Sequence, residues 1–255
     1  MSTPAAVSFR AVRKDFLPPL GLKALLTFRW RRERVRAIDR VDLDLEPGRI
    51  HAFVGPNGAG KTTLLKLVTG LLLPSEGNVV VQGRDTSRQP LAVRGRVGYC
   101  ITEARSFFLR LSGRENLRFF ASLHGLDGHG RTDRVDRILH ELELPDVADR
   151  PVLSYSEGMK QRLALARSLL HEPEILLLDE IGRGLDPRLR EKVFRLVADD
   201  LAGRRGTTVL MASHALDEVS ALAHRVHVLR EGRILASGDF EAVRPVIDEV
   251  FRGDT

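Results

Sequence analysis

Apolar residues recur along this chain in two rhythms, and the rhythm changes twice. In the first third, short β-like runs alternate with turn signals: 7–9, 41–45 before Glu46-Pro47-Gly48, 50–54, 78–82 before Gly83-Arg84-Asp85, and 96–100. From about 103 to 170 the spacing turns helical, with Val135, Ile138, Leu139 and Leu142, then Leu163, Leu165, Leu169 and Leu170. The last third returns to alternation. It predicts an apolar strand over 175–178, a helix from 187 to about 201, a strand over 207–212, and a hairpin of 226–229 and 233–235 around Glu231-Gly232. This order predicts one α/β core carrying an inserted helical lobe, with no internal repeat.

At 255 residues the chain can bury a full core, as one large domain or two small ones. Its 40 basic and 34 acidic side chains leave a net charge of +6, concentrated once, at Arg29, Arg31, Arg32, Arg34 and Arg36. Nucleic acid, anionic lipid or an acidic partner could each use that cluster, although a solvated face is the commoner meaning of a charge run. The single cysteine, Cys100, excludes an internal disulfide and is expected as a core thiol. The first residues lack a charged-then-apolar leader pattern. The longest mostly apolar stretch, 18–28, is interrupted by Lys23 and too short to span a bilayer, so the chain is expected to be soluble.

The most specific chemistry lies at Gly55-Pro56-Asn57-Gly58-Ala59-Gly60-Lys61-Thr62-Thr63, which satisfies the phosphate-loop pattern G-x-x-x-x-G-K-[ST] between a predicted strand and a predicted helix. Glycines let consecutive backbone N–H groups converge on phosphate oxygens, and the helix N-terminus adds partial positive charge. Lys61 is expected to reach the β- and γ-phosphates, Thr62 to ligate Mg²⁺ through its hydroxyl, and Thr63 to contact phosphate.

A second constellation follows the apolar run 175–178. Asp179 and Glu180 stand where a buried strand delivers acids to the carboxyl edge of a parallel sheet, Asp179 for Mg²⁺ and Glu180 to polarise a water attacking the γ-phosphorus. Between the two motifs, Tyr155-Ser156-Glu157-Gly158-Met159 precedes a helix. Ser156 reads as an N-cap, and its hydroxyl with the N–H groups around Gly158 could form a second anion-binding nest.

The order of these motifs, continued by Gly184-Leu185-Asp186-Pro187 and Ser213-His214, resembles the nucleotide-binding subunit of ATP-binding cassette (ABC) transporters over almost the whole chain. The Tyr-Ser-x-Gly-Met form looks most like bacterial exporters whose ATPase and membrane subunits are separate polypeptides. The resemblance implies an α/β P-loop NTPase (RecA-like) core with an N-terminal antiparallel β subdomain and an inserted α-helical subdomain. An ABC ATPase domain is expected over 1–240, with the helical part at about 103–170 and a C-terminal tail at 241–255. ATP and Mg²⁺ are the implied ligands, a transmembrane permease the implied partner, and the cytoplasmic face of the membrane the implied location. It further implies a head-to-tail ATPase dimer, with itself or with another cassette, in which Ser156 and Gly158 of one subunit close over the γ-phosphate held by the other. Asp186 would stitch the two sites together, and His214 would bond the γ-phosphate and position Glu180 and the water. Phe16 stands where the family stacks an aromatic ring on adenine, with Phe9 as a rival that its alternation marks as core.

Three departures accompany the resemblance. The family's glutamine between core and lobe is absent from Gly98-Tyr99-Cys100-Ile101-Thr102-Glu103-Ala104-Arg105. Counting back from Arg114-Glu115-Asn116-Leu117 puts Glu103 there, as a substitute Mg²⁺ contact, whereas counting forward from Gly98-Tyr99 puts Thr102 there. Ile181-Gly182-Arg183 follows Glu180 where Pro-Thr is usual. The segment 17–36 is long, and reads either as an amphipathic element with a basic end that docks on the membrane or permease, or as a surface loop. Two other functions stay open on sequence: a non-transport cassette ATPase acting on nucleic acid or ribosomes, and an ATP-binding regulatory module with little turnover.

Overall fold

The computed structural model describes residues 4–17, 34–101, 106–182 and 184–252. Its centre is a six-stranded sheet ordered β10-β9-β3-β8-β7-β6, from strands β3 (Ile50–Val54), β6 (Val97–Cys100), β7 (Ile175–Asp179), β8 (Thr208–Ser213), β9 (Arg225–Arg230) and β10 (Arg233–Gly238). All neighbours are parallel except the β9–β10 hairpin. The strands are apolar runs because both faces are covered, and alternate residues supply two cores. Ile50, Ala52, Val54, Leu176, Leu178, Val209 and Met211 join the helical lobe, whereas Phe53, Ile175, Leu177, Leu210 and Ala212 face the phosphate-loop helix and the second sheet.

That second sheet is antiparallel and ordered β2-β1-β4-β5, from β1 (Val7–Phe16), β2 (Val35–Leu45), β4 (Glu76–Val81) and β5 (Arg84–Asp85). It is the expected N-terminal β subdomain, with β1 and β2 longer than the alternation predicts because register shifts between Phe9 and Asp15 interrupt the pattern. Phe9 is fully buried in it, as its alternation predicts. Asp39 on β2 ties the sheets together: its carboxylate accepts from Arg233 on β10 at 2.8 Å and lies 3.4 Å from both Arg13 and Arg36. The Arg233 guanidinium holds the Asp39 carboxyl below its ordinary range against the opposing effect of burial.

Among the described residues seven α-helices connect the strands: α1 (Lys61–Val68), α2 (Pro90–Arg94), α3 (Gly113–Leu123), α4 (Gly128–Glu141), α5 (Glu157–Leu169), α6 (Pro187–Arg195), which continues as a wider turn over Leu196–Arg204, and α7 (Leu216–Leu222). The helical lobe consists of α3, α4 and α5; Ser112 starts α3 with a reciprocal capping box to Glu115. The segment 241–255, expected as a tail, is instead a further helix, α8 (Phe240–Arg252), through its described part. Val243, Ile247 and Val250, spaced four and three apart, bury one face of it in the core against β9 and β10. Cys100 is fully buried, which pushes its thiol up to about 12. No helix among the described residues is long and apolar enough to cross a membrane.

The amphipathic-element reading of 17–36 lies almost wholly outside the described residues: β1 ends at Phe16 and β2 begins at Val35.

A buried histidine pair underlies the β3–β9 junction. His51 Nε2 lies 3.0 Å from the Glu46 carbonyl, which can only accept, so that nitrogen carries the proton. His51 Nδ1 then accepts from His227 Nε2 at 3.3 Å, and His227 Nδ1 accepts from the Ser237 hydroxyl at 2.9 Å. Every ring nitrogen is satisfied only while both rings are neutral. Burial lowers His227 to about 3 and lowers His51 as well. The unfolded chain therefore binds more protons below its histidine range, and stability present above about pH 6.5 falls as pH drops toward 3. His227→Gln should flatten that acid dependence between pH 6.5 and 4.5 by up to about 1.4 kcal/mol per pH unit, read from denaturant midpoints. An unchanged slope would remove His227 as a source of acid sensitivity.

Candidate functional site

The phosphate loop leaves β3 at Val54 and enters α1 at Lys61. Two glycines are fixed by close approach. A Cβ on Gly55 would sit 2.1 Å from the Leu229 carbonyl oxygen, and one on Gly60, whose φ is +108°, would sit 2.6 Å from the Ala37 oxygen and 2.7 Å from Ile38 Cδ1. The loop is thus wedged between β9 and β2, the strand that Asp39 anchors. Lys61 folds back over the loop: its ammonium donates to the carbonyls of Gly55 at 2.6 Å and Pro56 at 2.9 Å. Burial lowers its pKa, while Glu180 and Asp179 act in the opposite direction. These carbonyls orient the cation in a cradle suited to an anion.

The sheet register brings the acids to the same edge. Val54 pairs with Ser213 and Asp179 with Ala212, so β3, β7 and β8 end side by side. Asp179 Oδ1 accepts from the Thr62 hydroxyl at 3.2 Å, and Oδ2 from the Tyr99 hydroxyl at 3.3 Å. Burial raises the Asp179 pKa against these two bonds. An oxygen pair of hydroxyl and half-buried carboxylate fits a hard divalent cation. A cleft of about 470 Å³ is lined by Thr62, Lys66, Leu71, Tyr99, Ile101, Asp179 and Glu180.

Glu180 turns sharply out of β7 with φ +55°, a left-handed conformation costing a residue with a side chain about 1–2 kcal/mol. Its N–H donates to the Ala212 carbonyl at 3.0 Å, and Gln161 Nε2 donates to its carbonyl at 3.3 Å and also to that of Ile181. The turn directs Glu180 Oε1 to His214 Nδ1 at 3.2 Å.

Ser156 caps α5, accepting from the Met159 N–H at 3.2 Å, and Asp186 caps α6, accepting from Leu189 N–H at 3.0 Å. A Cβ on Gly158 would lie 3.4 Å from the Gly184 oxygen, so these two loops are neighbours within one chain. Among the described residues no hydrogen bond joins Ser156 or Gly158 to the phosphate loop. Phe16 ends β1 partly exposed, with the Lys14 ammonium 5.2 Å from its ring centroid. Glu103 and Thr102, the rival substitutes for the missing glutamine, lie outside the described residues. Sequence reasoning missed Tyr99 and Gln161. The position of Tyr99 on the strand that ends beside the predicted acids was a readable signal, whereas Gln161 sat inside a quoted motif without a role.

The family model described as ABC transporter matches residues 38–182. The ATP-binding protein NatA of Bacillus subtilis is 35% identical over 216 residues, covering 85% of this chain and 87% of that one. The chain belongs to the ABC transporter family. It is an ATP-binding and ATP-hydrolysing module with the P-loop fold of that family. The daunorubicin resistance ATP-binding protein DrrA3 of Streptomyces coeruleorubidus is 41% identical over 209 residues; the match covers 82% of this chain and 65% of DrrA3, so the cassette spans just under two thirds of that relative. In fold it matches the ATP-binding cassette MJ0796, solved as a dimer in a post-hydrolysis state bound to ADP and Pi, with TM-score 0.80 and 24% identity over 92% of this chain and 98% of that one.

Lys61→Ala should weaken ATP binding roughly ten- to a hundredfold, from the loss of about 1.5–3 kcal/mol of charge-assisted hydrogen bonding. Titration with a fluorescent ATP analogue reads this. Unchanged affinity would mean that the ammonium stays on the loop carbonyls with nucleotide bound.

Proposed function

We propose that this chain is the motor subunit of an exporter, hydrolysing ATP to drive an unidentified substrate through a separate transmembrane permease, on the cytoplasmic face of the membrane. The observation that carries the hydrolytic part is the convergence of Lys61, Thr62, Asp179, Glu180 and His214 at one sheet edge. Membership of the ABC transporter family supports a permease partner, and the Tyr155-Ser156-Glu157-Gly158-Met159 form supports export. The name of DrrA3, a resistance protein, is in keeping with that direction.

In this reading Lys61 exchanges its two loop carbonyls for phosphate oxygens, and the 55–60 backbone cradles the remainder of the triphosphate. Phe16 stacks on the adenine. Thr62 and Asp179 would hold Mg²⁺, with Glu103 as a further carboxylate; a bound ion would offset the negative charge of the phosphates. Glu180 accepts a hydrogen bond from the attacking water and draws off its proton. His214 holds Glu180 through Nδ1, and its other nitrogen is available to the γ-phosphate. Ser156 and Gly158 of a second cassette, identical or related, close the site from the opposite side, with Asp186 at the seam. The dimer described for MJ0796 supports that assembly.

Glu180→Gln should retain ATP affinity within about twofold and lose turnover by roughly 10²–10⁴, the usual worth of a general base. Phosphate release at saturating MgATP, measured beside nucleotide binding, tests this. Turnover equal to the parent's would exclude Glu180 as the base.

A further inference from the structure

Ile181-Gly182, the departure next to the catalytic acid, has a structural counterpart on another element. A Cβ at Gly182 would lie 1.7 Å from Oε1 and 2.5 Å from Cδ of Glu218, so the Glu218 carboxylate occupies the space that a side chain at 182 would need. Glu218 lies on α7 and is only 5% exposed. Its Oε2 accepts from the Ser213 hydroxyl at 3.2 Å, and the Ser213 oxygen accepts in turn from the Ala215 N–H at 3.1 Å. The carboxylate therefore touches two turns at once: 180–182, which carries Glu180, and 213–215, which carries His214.

We propose that Glu218 is a positioning residue for hydrolysis, a buried brace that sets the separation of the Glu180 and His214 turns, with Gly182 as the notch that admits it. The brace completes a frame visible on the other sides. Gln161 bonds the carbonyls of Glu180 and Ile181, the Glu180 N–H bonds Ala212, and an Asp217–Arg190 ion pair at 3.4 Å fixes α7 to α6. Without a brace between them, the 3.2 Å contact between His214 Nδ1 and Glu180 Oε1 would depend on two surface turns moving independently. Misplacing a reacting group by an ångström costs a large factor in rate while leaving phosphate contacts intact. Burial raises the Glu218 carboxyl above its ordinary range, with Ser213, Arg190 and His214 opposing. A neutral side chain of the same length is therefore a fair replacement.

This inference rests on the hydrolytic reading of the site, and the experiment separates the two. Steady-state ATPase kinetics and nucleotide binding are measured for Glu218→Ala, Glu218→Gln, Gly182→Ala and the double variant Gly182→Ala/Glu218→Ala, with Glu180→Gln as control. Glu218→Ala is expected to lower kcat about tenfold or more, with KM and ATP affinity within about twofold. Glu218→Gln, which keeps the length and an acceptor for Ser213, should recover most of that loss. Gly182→Ala should lower kcat by displacing the brace, and in the Glu218→Ala background it should cost nothing further, because the space is already open. A double variant whose loss is the product of the two single losses would overturn the brace, as would a Glu218→Ala enzyme with the parent's kcat. An inactive Glu180→Gln beside such a Glu218→Ala enzyme would sink this inference alone, whereas an active Glu180→Gln would sink the reading on which it rests. Retained nucleotide binding in each variant shows that it is folded.

Discussion

The parallel register of β3, β8 and β7 is the constraint on which the site depends. With Val54 opposite Ser213 and Asp179 opposite Ala212, three buried strands release their chains at one edge, and the residues just beyond them are the phosphate loop, Glu180 and His214. A slip of one residue would turn side chains that now alternate between two cores to the wrong faces, so burial on both sides holds the register. The polar edge is thereby aligned by the apolar centre. What remains to be set locally is the direction of each turn, and here the backbone accepts a cost, as at the left-handed Glu180.

The second sheet contributes position more than chemistry. Gly60 is closed against Ala37 and Ile38, the Asp39 N–H donates to the Gly232 carbonyl at 2.9 Å and the Gly232 N–H to the Ala59 carbonyl at 3.0 Å, so β2, the β9–β10 turn and the loop are tied together. Around Asp39 gather Arg13, Arg36 and Arg233, and Arg13 and Arg36 reach on to Glu76 and Asp15. A nearly buried carboxylate left without these partners would be strongly unfavourable. The network thus fixes the sheet that carries Phe16 to the sheet whose strand β3 leads into the phosphate loop. Its charge is local and compensated.

The legible parts of the molecule were those in which function is written in consecutive residues. The 55–63 loop, the 175–180 run and the Ser156 cap each need a fixed residue type at a fixed offset, because backbone geometry decides them. The α/β core was readable from its alternation of strand and helix patterns, whereas the antiparallel subdomain was implied by the family resemblance. Illegible were contacts made across the fold: Tyr99 meets Asp179 from 80 positions away, and Gln161 meets Glu180 from 19. Strand lengths were misjudged where bulges in β1 broke the alternation. The C-terminal segment, expected as a tail, is helical, although Val243, Ile247 and Val250 carry the period that marks it. Gly182 was noticed only as an oddity, because its meaning lies in Glu218.

Within one chain, Ser156 and Gly158 stand beside Gly184 rather than on the phosphate loop. On the function proposed above, the centre at this edge is completed when a second cassette supplies its own Ser156–Gly158 loop. The most direct measurement is ATPase activity per subunit at saturating MgATP as a function of protein concentration, with sedimentation velocity under the same conditions. A composite site predicts specific activity that rises with concentration in step with the dimer fraction and vanishes on dilution. Constant specific activity down to concentrations at which only monomer sediments would contradict it.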